Sequence, residues 1–460
     1  MDRRTIEFTG CLASLTHAGF SAAEAACKVA LLGQALEALG PPEAGPLHGL
    51  FVPGRIEVLG KHTDYAGGRS LLCAAERGIC FAAAPRPDGR VVIIDARANQ
   101  HVEGRIADNP RIHGPAWATY PRAVVRRLAR NFPAARRGAT VAFASDLPPA
   151  AGMSSSSAFV VGLFLALAAV NDLDAAAAYR ANISSQEDLA AYLAAVENGA
   201  SFRGLAGDRG VGTSGGSEDH TAILSCRAAT LSQFAFCPTR LERLVRLPGR
   251  LVFAIAASGV AAEKTGRARE AYNRAAAAAA RILELADAGS GRHASLADAC
   301  TASPGAIDAI RRLLARSADA AFPSAMLVDR FEQFVAESFE VIPGAAAALA
   351  AGDLDTFGRF VDRSQQLAEA RLGNQVPETT QLARSARELG AQAASAFGAG
   401  FGGSVWALVA RDEAGAFIDR WRAAYALDFP GAAERAEFFT SGAGPGTVRW
   451  TLSVTRAAGQ

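Results

Sequence analysis

Three glycine-rich stretches set the strongest limits on how this 460-residue chain can fold. They read "LPPAAGMSSSSAF" (147–159), "GTSGGSEDH" (212–220) and "AFGAGFGGSVWALV" (396–409), and each adjoins an apolar run that a core must cover. Glycine allows backbone conformations and close approaches that a Cβ forbids, so such stretches mark tight turns where the chain meets itself or a ligand. In the first, prolines end a strand-like run at Asp146 and Gly152 permits the turn. Ser154 to Ser157 then open a helix with no charged side chain before Asp172. The N–H groups and dipole of such a helix start suit an anion, and the hydroxyls add donors. An N-capping serine run on a core helix would look the same in isolation. No GK[ST] follows the glycine, so this is not a Walker A loop. In the second stretch Asp219 follows flexible glycines beside Glu218 and His220, where a carboxylate can orient or deprotonate a hydroxyl. A solvated acidic turn is the plainer alternative. The third stretch brings Gly398, Gly400, Gly402 and Gly403 close to another backbone or ligand, or forms a tight strand entry.

A chain this long exceeds what one hydrophobic core organises, so two domains are expected. Residues 1–44 read as a helical extension closed by "GPPEAGPLHG". Strand-like runs ("GLFVPGRIEVLG", "GICFAAAPRP", "RVVIIDAR", "GATVAFASDLP") and helices follow in a first domain, 45–248. The pattern restarts after a junction near 245–250 in a second domain, 249–460, whose closing "FFTSGAGPGTVRWTLSV" reads as one more strand pair. Mixed strands and helices in both halves predict an α+β protein. The formal net charge is +2 with no long block of like charge, which gives no electrostatic reason to expect nucleic acid or a membrane surface as partner. The apolar run 158–170 is too short to span a bilayer. Seven scattered cysteines without a CxxC pair read as reduced core residues of a cytoplasmic protein. His62 and His220 have no third partner at ligand-like spacing, which argues against zinc.

The densest polar stretch is "GRIEVLGKHTDYAGG" (54–68), which holds Arg55, Lys61, His62 and Asp64; Lys61 is one of only three lysines, with Lys28 and Lys264. Taken with the glycine loops, it makes the chain resemble the GHMP small-molecule kinases, and within them the galactokinases. The sugar signature of that family, GR-x-x-x-x-GEHTDY-x-x-G, is matched at every fixed place but one. The phosphate motif P-x-G-x-G-L-S-S-S is approximated by "PPAAGMSSS", with Ala150 and Met153 as departures, and G-A-G-F-G-G stands unaltered at 398–403. The resemblance implies a ribosomal-protein-S5-domain-2-like N-terminal domain and a ferredoxin-like C-terminal domain, with the active site in the cleft between them. It also implies an ATP- and Mg²⁺-dependent kinase for the anomeric C1 hydroxyl of galactose or a related hexose. By the same resemblance Asp219 accepts the hydroxyl proton, and Arg55 lies beside it, keeps it ionised and stabilises the phosphoryl group. Lys61, His62, Asp64, Tyr272 and Gly216 surround the sugar. Gly152, Met153, Ser154, Ser155, Ser156 and Ser157 wrap the ATP phosphates, and Ser156 with Glu197 holds Mg²⁺. The segment "GLAGDRGVGTS" makes the spacing from Glu197 to Asp219 longer than the family norm. The expected partner is a small sugar, with the chain a monomer or weak homodimer.

The family has glutamate where this chain has Lys61. Lysine cannot accept a hydrogen bond, so the contact to the C6 end of galactose cannot be reproduced. Two readings follow. Lys61 pairs with a carboxylate at C6, making the substrate a uronic acid such as galacturonate, or it donates to a neutral hydroxyl or turns aside to a nearby carboxylate. Outside enzymes, a sugar sensor without catalysis is the rival, although it would not need Arg55, the serine loop and Asp219 together.

Overall fold

Strand Leu47–Leu59 carries apolar residues on both faces and is buried along nearly its whole length, so it must lie inside a sheet covered on two sides. The computed structural model, which describes residues 4–6, 9–41, 46–107, 110–262, 266–452 and 454–456, places it there. Leu47–Leu59 pairs antiparallel with the long strand Arg69–Arg86, which pairs in turn with Gly138–Ser145. Arg90–Asp95 joins Gly138–Ser145 in parallel, and Gln100–Arg105 forms the edge. The hairpin Thr230–Ala235/Arg240–Arg246 attaches at the Arg69–Leu72 end of the long strand. A second, fully antiparallel sheet has the order Ala393–Phe397, Ser404–Ala410, Leu251–Ala257, Glu437–Ser441. The chain passes from one sheet to the other between Arg246 and Leu251.

The closing segment departs from expectation. Glu437–Ser441 joins the second sheet, but Val448–Leu452 returns to the first and pairs with Leu47–Phe51. These two strands are not partners, and a second domain running to 460 takes in residues that belong with the first sheet. The reason is packing: Trp450 and Leu452 are buried among the N-terminal helices Thr9–Ala18 and Ala22–Leu39, which cover that face. Helix Ser155–Val170 is apolar all round and covers the other face, as a helix buried on every side must be. The main core runs on from there to Phe253, Ile255 and Trp406 of the second sheet, so the two sheets share one interior. Helices Pro377–Glu388 and Ala414–Asp428 cover the far face of the second sheet, and helices including Gly266–Ala286 and Ser324–Val335 form a separate cluster. Five of the seven cysteines are buried, whereas Cys27 and Cys237 are exposed rather than core residues. No helix among the described residues is long and apolar enough to cross a membrane.

Candidate active site

The three glycine loops meet. Ser404 Oγ donates to Ala151 O at 2.6 Å and Ala262 N to Ala150 O at 2.9 Å, which ties the serine loop to the second sheet. A Cβ on Gly398 (φ +87°) would lie 2.7 Å from Gly152 O, so only glycine allows this contact. A Cβ on Gly216 would lie 2.4 Å from Asp64 Oδ2, so the second loop closes directly on the sugar signature. Between these loops is a cavity of about 470 Å³, within the usual range for a small-ligand site.

Arg55 is the hub. Its Nη2 and Nε donate to Asp219 Oδ1 at 2.5 and 2.8 Å, and its Nη1 donates to Gly152 O at 3.1 Å. One guanidinium thus ties the carboxylate of the second loop to the backbone of the first, a geometry that the planar fork of arginine supplies and lysine does not. Burial works against the Arg55 charge, but Asp219, Glu57 and Glu218 outweigh it and raise its pKa, holding the guanidinium protonated. Asp219 lies in the first turn of helix Glu218–Ser225. Ser157 Oγ donates to Glu197 Oε2 at 2.9 Å and lies 3.4 Å from Asp219 Oδ2. The long segment after Glu197 is accommodated by a loop pinned through Asp208, which pairs with Arg126 (2.6 Å) and Arg127 (3.5 Å). Val211 N donates to Glu197 O at 2.8 Å as that loop returns, so Glu197 and Asp219 face the same serine despite their separation in sequence.

On the opposite side His62, Asp64 and Tyr272 line the cavity with Gly216. His62 Nε2 faces Ala399 O at 3.1 Å, which makes it the donor, and Nδ1 accepts from Tyr65 Oη at 2.8 Å. Glu218 N donates to Asp64 Oδ2 at 3.0 Å. Burial, reinforced by Asp64 and other neighbours, pushes the Tyr272 phenol well above its ordinary pKa, so it stays a neutral donor.

Two expected contacts are not made. Lys61 does not line the cavity. It is 1 % exposed, donates to Ser395 Oγ at 2.7 Å and Ser364 Oγ at 3.4 Å, and acts as counter-charge to the buried Glu57 and Glu337. A buried ammonium requires such partners, and all but Glu57 come from the second half of the chain. Lys61→Met is expected to lower unfolding free energy by on the order of 3 kcal/mol, since it leaves the buried Glu337 without its cation. In assays it should leave the ratio of galactose to galacturonate turnover within about threefold. A large change in that ratio would return Lys61 to the substrate. Met153 is likewise absent from the cavity lining: its side chain is core, and its carbonyl accepts from Arg55 N at 3.1 Å. Ser156 lines the cavity, but the hydroxyl bonded to Glu197 is that of Ser157, because the helix turns its third residue rather than its second toward Glu197. Ser157 and Glu197 are hard oxygen donors that fit Mg²⁺ shared with phosphate. No cluster of three His, Cys, Asp or Glu side chains that could hold a metal alone occurs among the described residues. Ser154, at φ +60°, lines the cavity, and its Oγ is buried without a hydrogen-bond partner among the described residues.

Sequence reasoning missed Glu57, Trp117, Tyr120 and Arg269, all of which line the cavity. Glu57 was legible in principle: it lies two residues after Arg55 in one strand, hence on the same face. Trp117, Tyr120 and Arg269 belong to no motif.

The galactokinase galactose-binding signature matches residues 41–85, the GHMP kinases N terminal domain matches 119–208, and the GHMP kinases C terminal matches 345–427. A galactokinase of Roseiflexus sp. (strain RS-1) is 30 % identical over 375 residues, 79 % of this chain and 84 % of that protein. A galactokinase of Chloroflexus aurantiacus is 27 % identical over 388 residues, 82 % and 87 % of the two chains. Among solved structures, Lactococcus lactis galactokinase complexed with galactose shares the fold, with a TM-score of 0.74 and 22 % identity over 92 % of this chain and 99 % of that one. The chain belongs to the galactokinase family of the GHMP kinases, phosphotransferases that act on a sugar hydroxyl.

Proposed function

We propose that this enzyme transfers the γ-phosphoryl group of ATP to the anomeric C1 hydroxyl of galactose or a close hexose relative. The observation that carries this reading is the Arg55 bridge between Asp219 and Gly152, inside a cavity bounded by both the serine loop and the sugar signature. The sugar lies against His62, Asp64, Tyr272 and Gly216, with C1–OH toward Asp219. Asp219 accepts the hydroxyl proton as the oxygen bonds to the γ-phosphorus. The bond from that phosphorus to the β,γ-bridging oxygen breaks, and ADP departs with the electron pair. Arg55 has five N–H groups, of which three serve Asp219 and Gly152, leaving two for the equatorial phosphoryl oxygens. Ser154, Ser155 and the N–H groups opening helix Ser155–Val170 cradle the phosphates. Ser157 and Glu197 would hold Mg²⁺, which would supply charge neutralisation at the phosphates.

A neutral hexose is the favoured acceptor, because Lys61 is directed away from the cavity and a carboxyl, Glu57, lines it. ADP release measured over galactose, N-acetylgalactosamine, glucose, arabinose, galacturonate and glucuronate tests the reading, with product analysis for the 1-phosphate. Turnover is expected with galactose or a neutral relative. Sugar and ATP binding without any ADP release would instead make the protein a sensor. Ser154→Ala should raise KM for ATP about tenfold, as loss of one hydrogen bond to a charged group implies, while KM for the sugar stays within about twofold. Equal changes in both constants would remove Ser154 from the phosphate site.

A further inference from the structure

Arg269 has no role in the chemistry above, yet it lines the cavity, and its guanidinium makes no hydrogen bond or ion pair among the described residues. It is exposed, so its donors are open to a ligand. Among the described residues that line the cavity, only Arg55 and Arg269 carry a fixed positive charge, against the carboxyls of Glu57, Asp64, Glu197, Glu218 and Asp219. Arg55 is largely committed to Asp219 and Gly152. We propose that Arg269 is a catalytic residue that binds the γ-phosphoryl group of ATP, a second cation brought to the reacting group by the second half of the chain.

The path of the chain puts Arg269 between the two substrates. Ala262, shortly before helix Gly266–Ala286, is bonded through its N–H to Ala150 O of the serine loop at 2.9 Å. Tyr272, further along the same helix, stands at the sugar end, its ring 5.0 Å from that of His62. Arg269 is three positions before Tyr272 and shares its helix face, so it lies from the tyrosine toward the serine loop, where the γ-phosphoryl group must pass. Asn273 fixes the helix there: its Oδ1 accepts from Ser214 N at 3.0 Å and its Nδ2 donates to Gly212 O at 3.2 Å. The guanidinium lies close to that loop, since a Cβ built on Gly212 would be 3.4 Å from Arg269 Nη1. The first turn of the helix holds no acidic residue, so Arg269 adds its charge where the helix dipole is already positive, a place that favours an anion. A guanidinium only donates hydrogen bonds, and a phosphoryl group has more acceptor sites than the two N–H groups left on Arg55 can fill. The planar fork of arginine suits two oxygens of one phosphoryl group.

This inference rests on the hexose kinase reading, and the test separates the two. Wild-type enzyme and Arg269→Ala are compared in steady-state turnover of galactose. Calorimetry then measures their binding of a non-hydrolysable ATP analogue, of ADP and of galactose. Arg269→Ala should lower kcat about 100-fold, as loss of a donor to the reacting group does at comparable sites. Its affinity for the ATP analogue should fall about tenfold or more, the effect of losing a hydrogen bond between charged groups. Affinities for ADP and galactose should stay within about twofold, because neither carries the γ group and an exposed side chain without partners supports little else. Arg269→Lys, which keeps the charge and loses the fork, should regain part of the analogue affinity and less than about a tenth of the lost kcat. Equal losses for ADP and the analogue would put Arg269 on the inner phosphates and overturn the proposal. Weakened galactose binding alone would put it at the sugar, and an unchanged kcat with unchanged affinities would leave it a solvated rim residue; either result overturns the proposal too. If Arg269→Ala does not fold, Arg269→Gln is read by the same comparison. Failure of the wild type to release ADP with any sugar would end the kinase reading and this inference with it. An active wild type whose Arg269 variants still favour the analogue over ADP as before would end the inference alone.

Discussion

Asp219→Asn is expected to lower kcat by about 10³-fold while galactose still binds with a KM within a few-fold of the wild type. The asparagine keeps the size and the contact to Arg55 but cannot take a proton, and positioned proton transfer contributes typically 10²–10⁴-fold. The Arg55 bonds at 2.5 and 2.8 Å hold the carboxylate in place before any substrate arrives, so the loss should appear in kcat and not in binding. Steady-state kinetics with independent calorimetric measurement of sugar binding checks this. Retention of more than about a tenth of the wild-type kcat would mean that Asp219 merely orients the hydroxyl, or that another group takes the proton.

Arg55→Met should be at least as damaging, with kcat/KM for the sugar falling about 10³-fold or more. Three effects combine. The transferring phosphoryl group loses its preorganised donors, a change worth about 10²–10³ in kcat at comparable sites. The serine loop loses its tie at Gly152 O. Glu57, Glu218 and Asp219 lose the cation they share. Without that charge the carboxyls are harder to ionise, so the acidic limb of the residual pH–rate profile should move to higher pH. Arg55→Lys is expected to recover less than a tenth of the activity, since a point charge cannot bond both Asp219 and Gly152. An unmoved acidic limb in Arg55→Met would show that the carboxyl cluster does not govern catalysis.

The site was more legible than the fold around it. Arg55, His62, Asp64 and Asp219 sit in short stretches that crowd charge against glycine turns, a combination suited to ligand binding and costly in a plain core. These residues line one cavity together with Gly152 and Ser154 to Ser157. The apolar helix 155–170 and the crossing at 245–250 were readable because each depends on local pattern. The return of Val448–Leu452 to the first sheet was not, because strand partners are chosen by which edge is open and which side chains need cover. Met153 and Ser156 were assigned by position in a motif, while the helix phase turned Ser157 toward Glu197 and the bend before the helix sent Met153 into the core.

The amino-acid order alone determined the reaction class, since phosphate cradling and proton acceptance need particular residue types within a few positions of one another. Only the tertiary structure decided what the unusual lysine does. Its direction is set by Ser364 and Ser395, some three hundred residues away, and a buried charge goes where distant groups can solvate it. The same long-range packing placed Glu57 beside Glu218, which no local reading of "GRIEVLG" could reveal.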